Sequence, residues 1–154
     1  MNEQGNFHTI TDGEAYRSAQ LDTDELEYYI KKYNIKSIVN LRGKNAEAPW
    51  YEEEMKVSAE HNIEHFDICL SASKEPTEKD INELMEIFQA APRPLLMHCL
   101  AGADRSGLAA AIWKLRIDGE SRVAAEKQLS LLYGHLPIGG DTAMDRCFEK
   151  YAGG

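Results

Sequence analysis

"PLLMHCLAGADRSG" (94–107) decides the fold. "PLLMHC" (94–99) has the length and apolar content of a short buried strand. "SGLAAAIWKLRI" (106–117) reads as a helix whose first turn is unusually small. Between them lies a loop too poor in bulk to pack on its own account. A strand that passes through such a loop into a helix belongs to α/β architecture. There ligands bind beyond the carboxyl ends of the strands, and a helix start offers unpaired N–H groups to an anion.

Working outward, "IKSIVNL" (35–41) and "IEHFDICL" (63–70) read as two further strands. "HTITDGEAYRS" (8–18) reads as a short hairpin, because Asp12-Gly13 is a strong tight-turn pair. Between the strands fall helices. One starts near Asp22 or Thr23, with Leu26, Tyr29, Ile30 and Tyr33 at helical spacing and Asn34 at its exit. Another runs from about Trp50 to Glu60. In a third, Thr77 and Asp80 resemble a capping box opening a helix that runs through Ala90, closed by Pro92 and Pro94. Two more follow, from Ser121 to Tyr133-Gly134 and from Asp141 or Thr142. Alternating strands and helices predict a short, mainly parallel central sheet flanked by helices on both faces. The sequence shows no repeat or linker, so residues 1–154 are expected to form one domain.

Composition narrows the function. The chain has 154 residues, 43% of them hydrophobic and 28% charged, which suits a globular domain rather than a disordered chain. A net charge of −9 argues against general nucleic-acid binding, which rests on clustered Lys and Arg. An anionic substrate must therefore be held by a local positive site. Cys69, Cys99 and Cys147 are too few for a disulfide framework and lack the paired spacing of a zinc site. No apolar run is long enough for a membrane span, and no secretory leader is visible. The compartment stays open between the cytoplasm and, behind a removed leader, the periplasm.

The loop itself supplies the positive site. Gly102 lets the backbone curl, so that successive N–H groups from Leu100, Ala101, Gly102, Ala103, Asp104 and Arg105 form a nest for a tetrahedral oxyanion. Arg105 adds a planar fork that grips two oxygens. A helix start and a cationic neighbour favour a thiolate at Cys99, and a thiolate below a bound phosphoryl group is an in-line nucleophile.

His98-Cys99, Gly102, Arg105, Ser106 and Gly107 resemble the His-Cys-x5-Arg-Ser/Thr-Gly signature of cysteine-dependent tyrosine and dual-specificity phosphatases. "YRSAQL" (16–21), "IVNLRG" (38–43) and "SASKEP" (71–76) are similar to segments of the small bacterial, plant and fungal atypical members. The resemblance implies a phosphocysteine intermediate on Cys99, phosphoryl binding by Arg105, and support of the departing thiolate by Ser106. It also implies that His98 orders the loop and that no metal or cofactor takes part. Substrates would be a phosphorylated protein or a small phosphate ester, acted on by a monomer. The departure is at the general acid. The loop that carries an aspartate in most members is here "SASKEP", in which Glu75 is the only carboxylate. Glu75 is the first candidate and Asp67, upstream in its strand, the second.

Other residues read plainly. Cys69 in its strand and Cys147 at helical spacing suit packing, with a resolving-thiol role for Cys69 as the sharper alternative. His61, His65 and His135 lack metal-ligand spacing, Trp50 and Tyr51 suit a packed helix face, and Glu52–Glu54 suit a solvated one. Asp104 calls for a cation, which Arg17 or Arg42 could supply. Three competing functions are a rhodanese-like sulfurtransferase, a phosphate-binding pseudoenzyme, and an inositol pyrophosphate phosphatase. The His-Cys lead and Ser-Gly exit oppose the first, and an intact Cys99 and Arg105 oppose the second. "SKEP" favours the third, but the acidic Asp104 inside the loop opposes it.

Overall fold

The computed structural model describes residues 4–71, 74–129 and 143–153. Five strands form one sheet: β1 (His8–Thr11), β2 (Ala15–Ser18), β3 (Ser37–Asn40), β4 (Glu64–Asp67) and β5 (Leu95–His98). Their spatial order is β1-β2-β5-β3-β4, and every pairing is parallel except the β1–β2 hairpin. The mainly parallel sheet expected from the alternating pattern is therefore observed.

The helices are α1 (Thr23–Tyr33), α2 (Pro49–Glu60), α3 (Glu78–Ala90), α4 (Asp104–Ile112), α5 (Arg122–Glu126) and α6 (Ala143–Gly153). Asp22 and Thr77 cap α1 and α3 through complete capping boxes, and Asn34 closes α1 in the left-handed region at φ 56°. Past Ile112 the chain continues as one wider π turn, Trp113–Ile117. The helix expected from Ser121 is capped by that serine, but it tightens into a 3₁₀ turn at Lys127–Leu129. Its expected end at Tyr133-Gly134, the start of the last helix at Asp141 or Thr142, and His135 lie outside the described residues.

Side-chain alternation divides the strands between two cores. Leu95, Met97 and Val39 face α3, α4 and α6, alongside Leu84, Phe88, Leu108 and Phe148. Leu96, Ile38 and Tyr16 face the other way, packing with Leu26, Tyr29 and Ile30 of α1 and Val57 of α2. Register then assigns the polar residues. His98 follows Leu96 by two and pairs with Asn40, which pairs with Asp67, so all three point to the α1–α2 side. Arg17 pairs with Met97 and points to the α4 side, the side to which Cys99 returns.

Candidate active site

The loop from Cys99 to Ala103 leaves β5 and enters α4 at Asp104, as its small residues led us to expect. What shapes it is a set of ties to its carbonyls. The backbone N–H of Gln20 donates to the Leu100 carbonyl at 3.0 Å. Asn6 Nδ2 donates to the carbonyls of Ala101 (3.1 Å) and Gly102 (3.3 Å). Arg17 Nη2 donates to those of Gly102 (3.0 Å) and Ala103 (3.2 Å). In a trans peptide the carbonyl and the following N–H point in opposite directions. Four carbonyls drawn outward therefore turn the N–H groups of Ala101, Gly102, Ala103 and Asp104 inward, and Gly102 N–H lies 3.2 Å from Cys99 Sγ.

Gly102 has no substitute here. Its φ is +78°, and a Cβ would fall 2.6 Å from Ala19 N and 2.8 Å from the Ser18 carbonyl carbon, both backbone atoms of the segment leaving β2. Arg17 is fully buried, and its second arm donates to the Gln128 carbonyl (2.6 Å) and side chain (3.0 Å). It thus joins the loop to the 3₁₀ turn after α5.

Cys99 is buried, with Ser106 Oγ 3.5 Å from its sulfur. A cavity of about 150 Å³ above it is lined by Cys99, Leu100, Ala101, Asp104 and Arg105. Arg105 Nη1 donates to the Leu70 carbonyl at 3.4 Å, which ties it to the segment after β4. Arg42 adds a second cation nearby. Burial first, and the charge of Arg105 second, lower its pKa, while the charges of Glu54 and Cys99 act the other way. Its guanidinium lies 3.8 Å over the Trp50 ring and donates to Gln20 Oε1 at 3.0 Å.

Neither acid candidate occurs among the described residues lining that cavity. Glu75 sits 3.3 Å from Lys150 of α6, in a separate cavity with Pro76, Thr77 and Glu78. Asp67 accepts from Asn40 Nδ2 (2.9 Å) and from the Tyr51 hydroxyl (2.6 Å). Burial and this carboxylate push the Tyr51 phenol up to about 12, so the hydroxyl keeps its proton for the bond.

Two readings are corrected. Cys69 is exposed rather than core, because the chain past β4 stays extended beside Asn40 and Leu41, so that Ile68 and Leu70 turn inward and Cys69 between them turns outward. Glu54 is not on a solvated face. It shares the inward face of α2 with Tyr51, Val57 and Ser58. There it lies 2.6 Å from His65 Nε2, 2.8 Å from His98 Nε2 and 3.0 Å from Gln20 Nε2. Burial opposes its charge, but the charge of His98 and the bonds from both histidines hold its carboxyl well below the usual range. The residues missed in the sequence are thus Glu54, His65, Gln20 and Asn6. Helical phase alone placed Glu54 with Tyr51 and Ser58, but the neighbouring Glu52 and Glu53 disguised it. Cys147 is buried, as packing required.

Two of three comparisons with known proteins found matches. The sequence model of the family described as "DSP-PTPase phosphatase fused to NAD+ Kinase" matches residues 2–139. No curated protein matches by sequence. Among solved structures, P. aeruginosa TpbA in complex with phosphotyrosine is 20% identical with a TM-score of 0.69, covering 100% of this chain and 94% of that one. The core catalytic domain of the S. cerevisiae PP-IP phosphatase SIW14, in complex with citrate, is 20% identical with a TM-score of 0.74, covering 96% and 85%. Tk-PTP in its active form is 19% identical with a TM-score of 0.67, covering 96% and 95%. These likenesses concern the fold. The family match over residues 2–139 settles the class: the chain belongs to the DSP-PTPase phosphatases.

Proposed function

We propose that the chain hydrolyses phosphomonoesters through a phosphocysteine intermediate on Cys99, within a single domain. The observation that carries this reading is the outward pull on the carbonyls of Leu100, Ala101, Gly102 and Ala103, which turns the following N–H groups inward, with that of Gly102 3.2 Å from Cys99 Sγ. Phosphoryl oxygens fit that cradle, and Arg105 at its mouth supplies the fork. The Cys99 thiolate attacks phosphorus. An S–P bond forms as the P–O bond to the leaving group breaks, and that oxygen carries the electron pair away. Water then cleaves the S–P bond, releasing phosphate, while Ser106 Oγ, 3.5 Å from the sulfur, donates to the departing thiolate.

Proton delivery to the leaving group is the weak step. Asp67 is engaged by Tyr51 and Asn40, and Glu75 faces Lys150. This favours substrates whose leaving group departs without a strong acid, such as the phenol of phosphotyrosine or of a small aryl ester. The bound phosphotyrosine of the similar TpbA structure supports the same class. The test is hydrolysis of p-nitrophenyl phosphate in chelator, with inhibition by vanadate. Activity should persist without metal and disappear in Cys99→Ser. Full activity in that variant would overturn the mechanism.

Among the described residues no helix is long and apolar enough to cross a membrane.

A further inference from the structure

Glu54 lies on α2, outside the phosphate loop, yet it is only 3% exposed and both its oxygens are occupied. Oε1 faces His98 Nε2 at 2.8 Å and Gln20 Nε2 at 3.0 Å, and Oε2 faces His65 Nε2 at 2.6 Å. A carboxylate is buried at such a cost only where charge-assisted partners surround it. The other nitrogen of each ring also faces an oxygen. His98 Nδ1 is 3.3 Å from the Cys99 carbonyl, and His65 Nδ1 is 3.5 Å from Asp67 Oδ1. At His98 the Glu54 carboxylate stands at ion-pair distance from one ring nitrogen while a carbonyl accepts from the other, an arrangement that favours the ring as a cation.

We propose that Glu54 is a positioning residue of the phosphatase site, holding His98 doubly protonated with its Nδ1–H on the Cys99 carbonyl, so that a buried cation stands behind the nucleophile. The proposal rests on Cys99 being that nucleophile. The groups facing this centre come from four elements. Glu54 and the Trp50 ring edge come from α2, Gln20 from the segment after β2, His65 and Asp67 from β4, and Cys99 from the end of β5. Tyr51 closes the outer side by donating to Asp67, and Arg42 is joined to Glu54 through Gln20. Gln20 also donates its backbone N–H to the Leu100 carbonyl, so one residue links Glu54 to the loop.

The sign of the effect separates this role from that of a nearby anion. Were Glu54 merely a negative charge near the sulfur, its removal would ease thiol ionisation. If it sustains the His98 cation, its removal takes that cation away and ionisation becomes harder. The test is the pH dependence of alkylation of Cys99 by iodoacetamide, read by peptide mass because Cys69, which is exposed, also reacts. In Glu54→Gln, which keeps the shape, the midpoint should rise by about one pH unit, so alkylation below it slows about tenfold. The double variant Glu54→Gln/His98→Gln should match His98→Gln alone, because the two residues act as one unit. Glu53→Gln, exposed on the same helix, should leave the midpoint in place. A midpoint that stays or falls in Glu54→Gln overturns the proposal. Ring nitrogen NMR of His98 in the wild-type protein tests it without any variant. Two protonated nitrogens at neutral pH are expected, and a singly protonated ring overturns it. Wild-type activity in Cys99→Ser would instead overturn the nucleophile assignment, so the two failures are distinguishable.

Discussion

Arg17→Lys keeps the buried charge of β2 and removes the fork. Arg17 Nη2 serves the carbonyls of Gly102 and Ala103, while Nη1 serves the carbonyl and side chain of Gln128. A lysine has one nitrogen and reaches one of these pairs. Two hydrogen bonds to a charged donor are then lost, each worth about 1.5–3 kcal/mol, for a total of about 3–6 kcal/mol. For a domain of this size the lower figure lowers Tm by about 6–12 °C. If the lysine stays with Gln128, the loop loses two of its five outward ties and its N–H groups are no longer held in register. A cost of about 1.4–2.8 kcal/mol in reordering would lower kcat/KM about tenfold to a hundredfold. Thermal unfolding followed by circular dichroism, together with p-nitrophenyl phosphate kinetics, reads both effects. A Tm within about 2 °C of wild type, where about 6 °C is the least expected, would refute the reasoning if kcat/KM were also unchanged.

Gly102→Ala should lose most activity, since its Cβ would meet the backbone at Ala19 N and Ser18 C in a left-handed conformation; a fully active variant would contradict the packing. Arg105→Lys should lower kcat more than it raises KM, because a point charge cannot reproduce the two-pronged contact in the transition state; steady-state kinetics check this. Glu54→Gln should flatten the acid limb of stability. A carboxylate depressed in the folded state contributes stability above its unfolded pKa of about 4.3 that is lost as pH falls toward the folded value, so acid unfolding should spare the variant relative to wild type. Glu75→Gln and Asp67→Asn, compared on an alkyl and a nitrophenyl ester, locate any general acid: the substitution that slows only the alkyl ester marks it.

The loop, its flanking strand and helix, and the mainly parallel sheet were legible in the sequence because they rest on local rules. Pro94 bounds the strand, and Gly102 marks the left-handed turn. Capping boxes at Asp22 and Thr77 open α1 and α3. What was not legible depends on which distant side chains meet. Glu54 and His98 lie in segments that look unrelated, and only the α2–sheet packing brings them to 2.8 Å. Cys69 belongs to an apolar run, but alternation buries Ile68 and Leu70 on either side and turns it outward. Arg17 reads only as one of two cations that could serve Asp104, and its hydrogen bonds to backbone carbonyls 85 and 86 residues away have no signal in the sequence. A side chain that binds carbonyls leaves no pattern in the partner's sequence.

The central claim is a phosphorylated Cys99. Rapid acid quench during turnover of an aryl phosphate, followed by peptide mass analysis, tests it directly. The account predicts a phosphoryl group on the peptide containing Cys99, absent when vanadate occupies the cradle and absent in Cys99→Ser. A phosphoryl group on another residue, or steady turnover in Cys99→Ser, would contradict it.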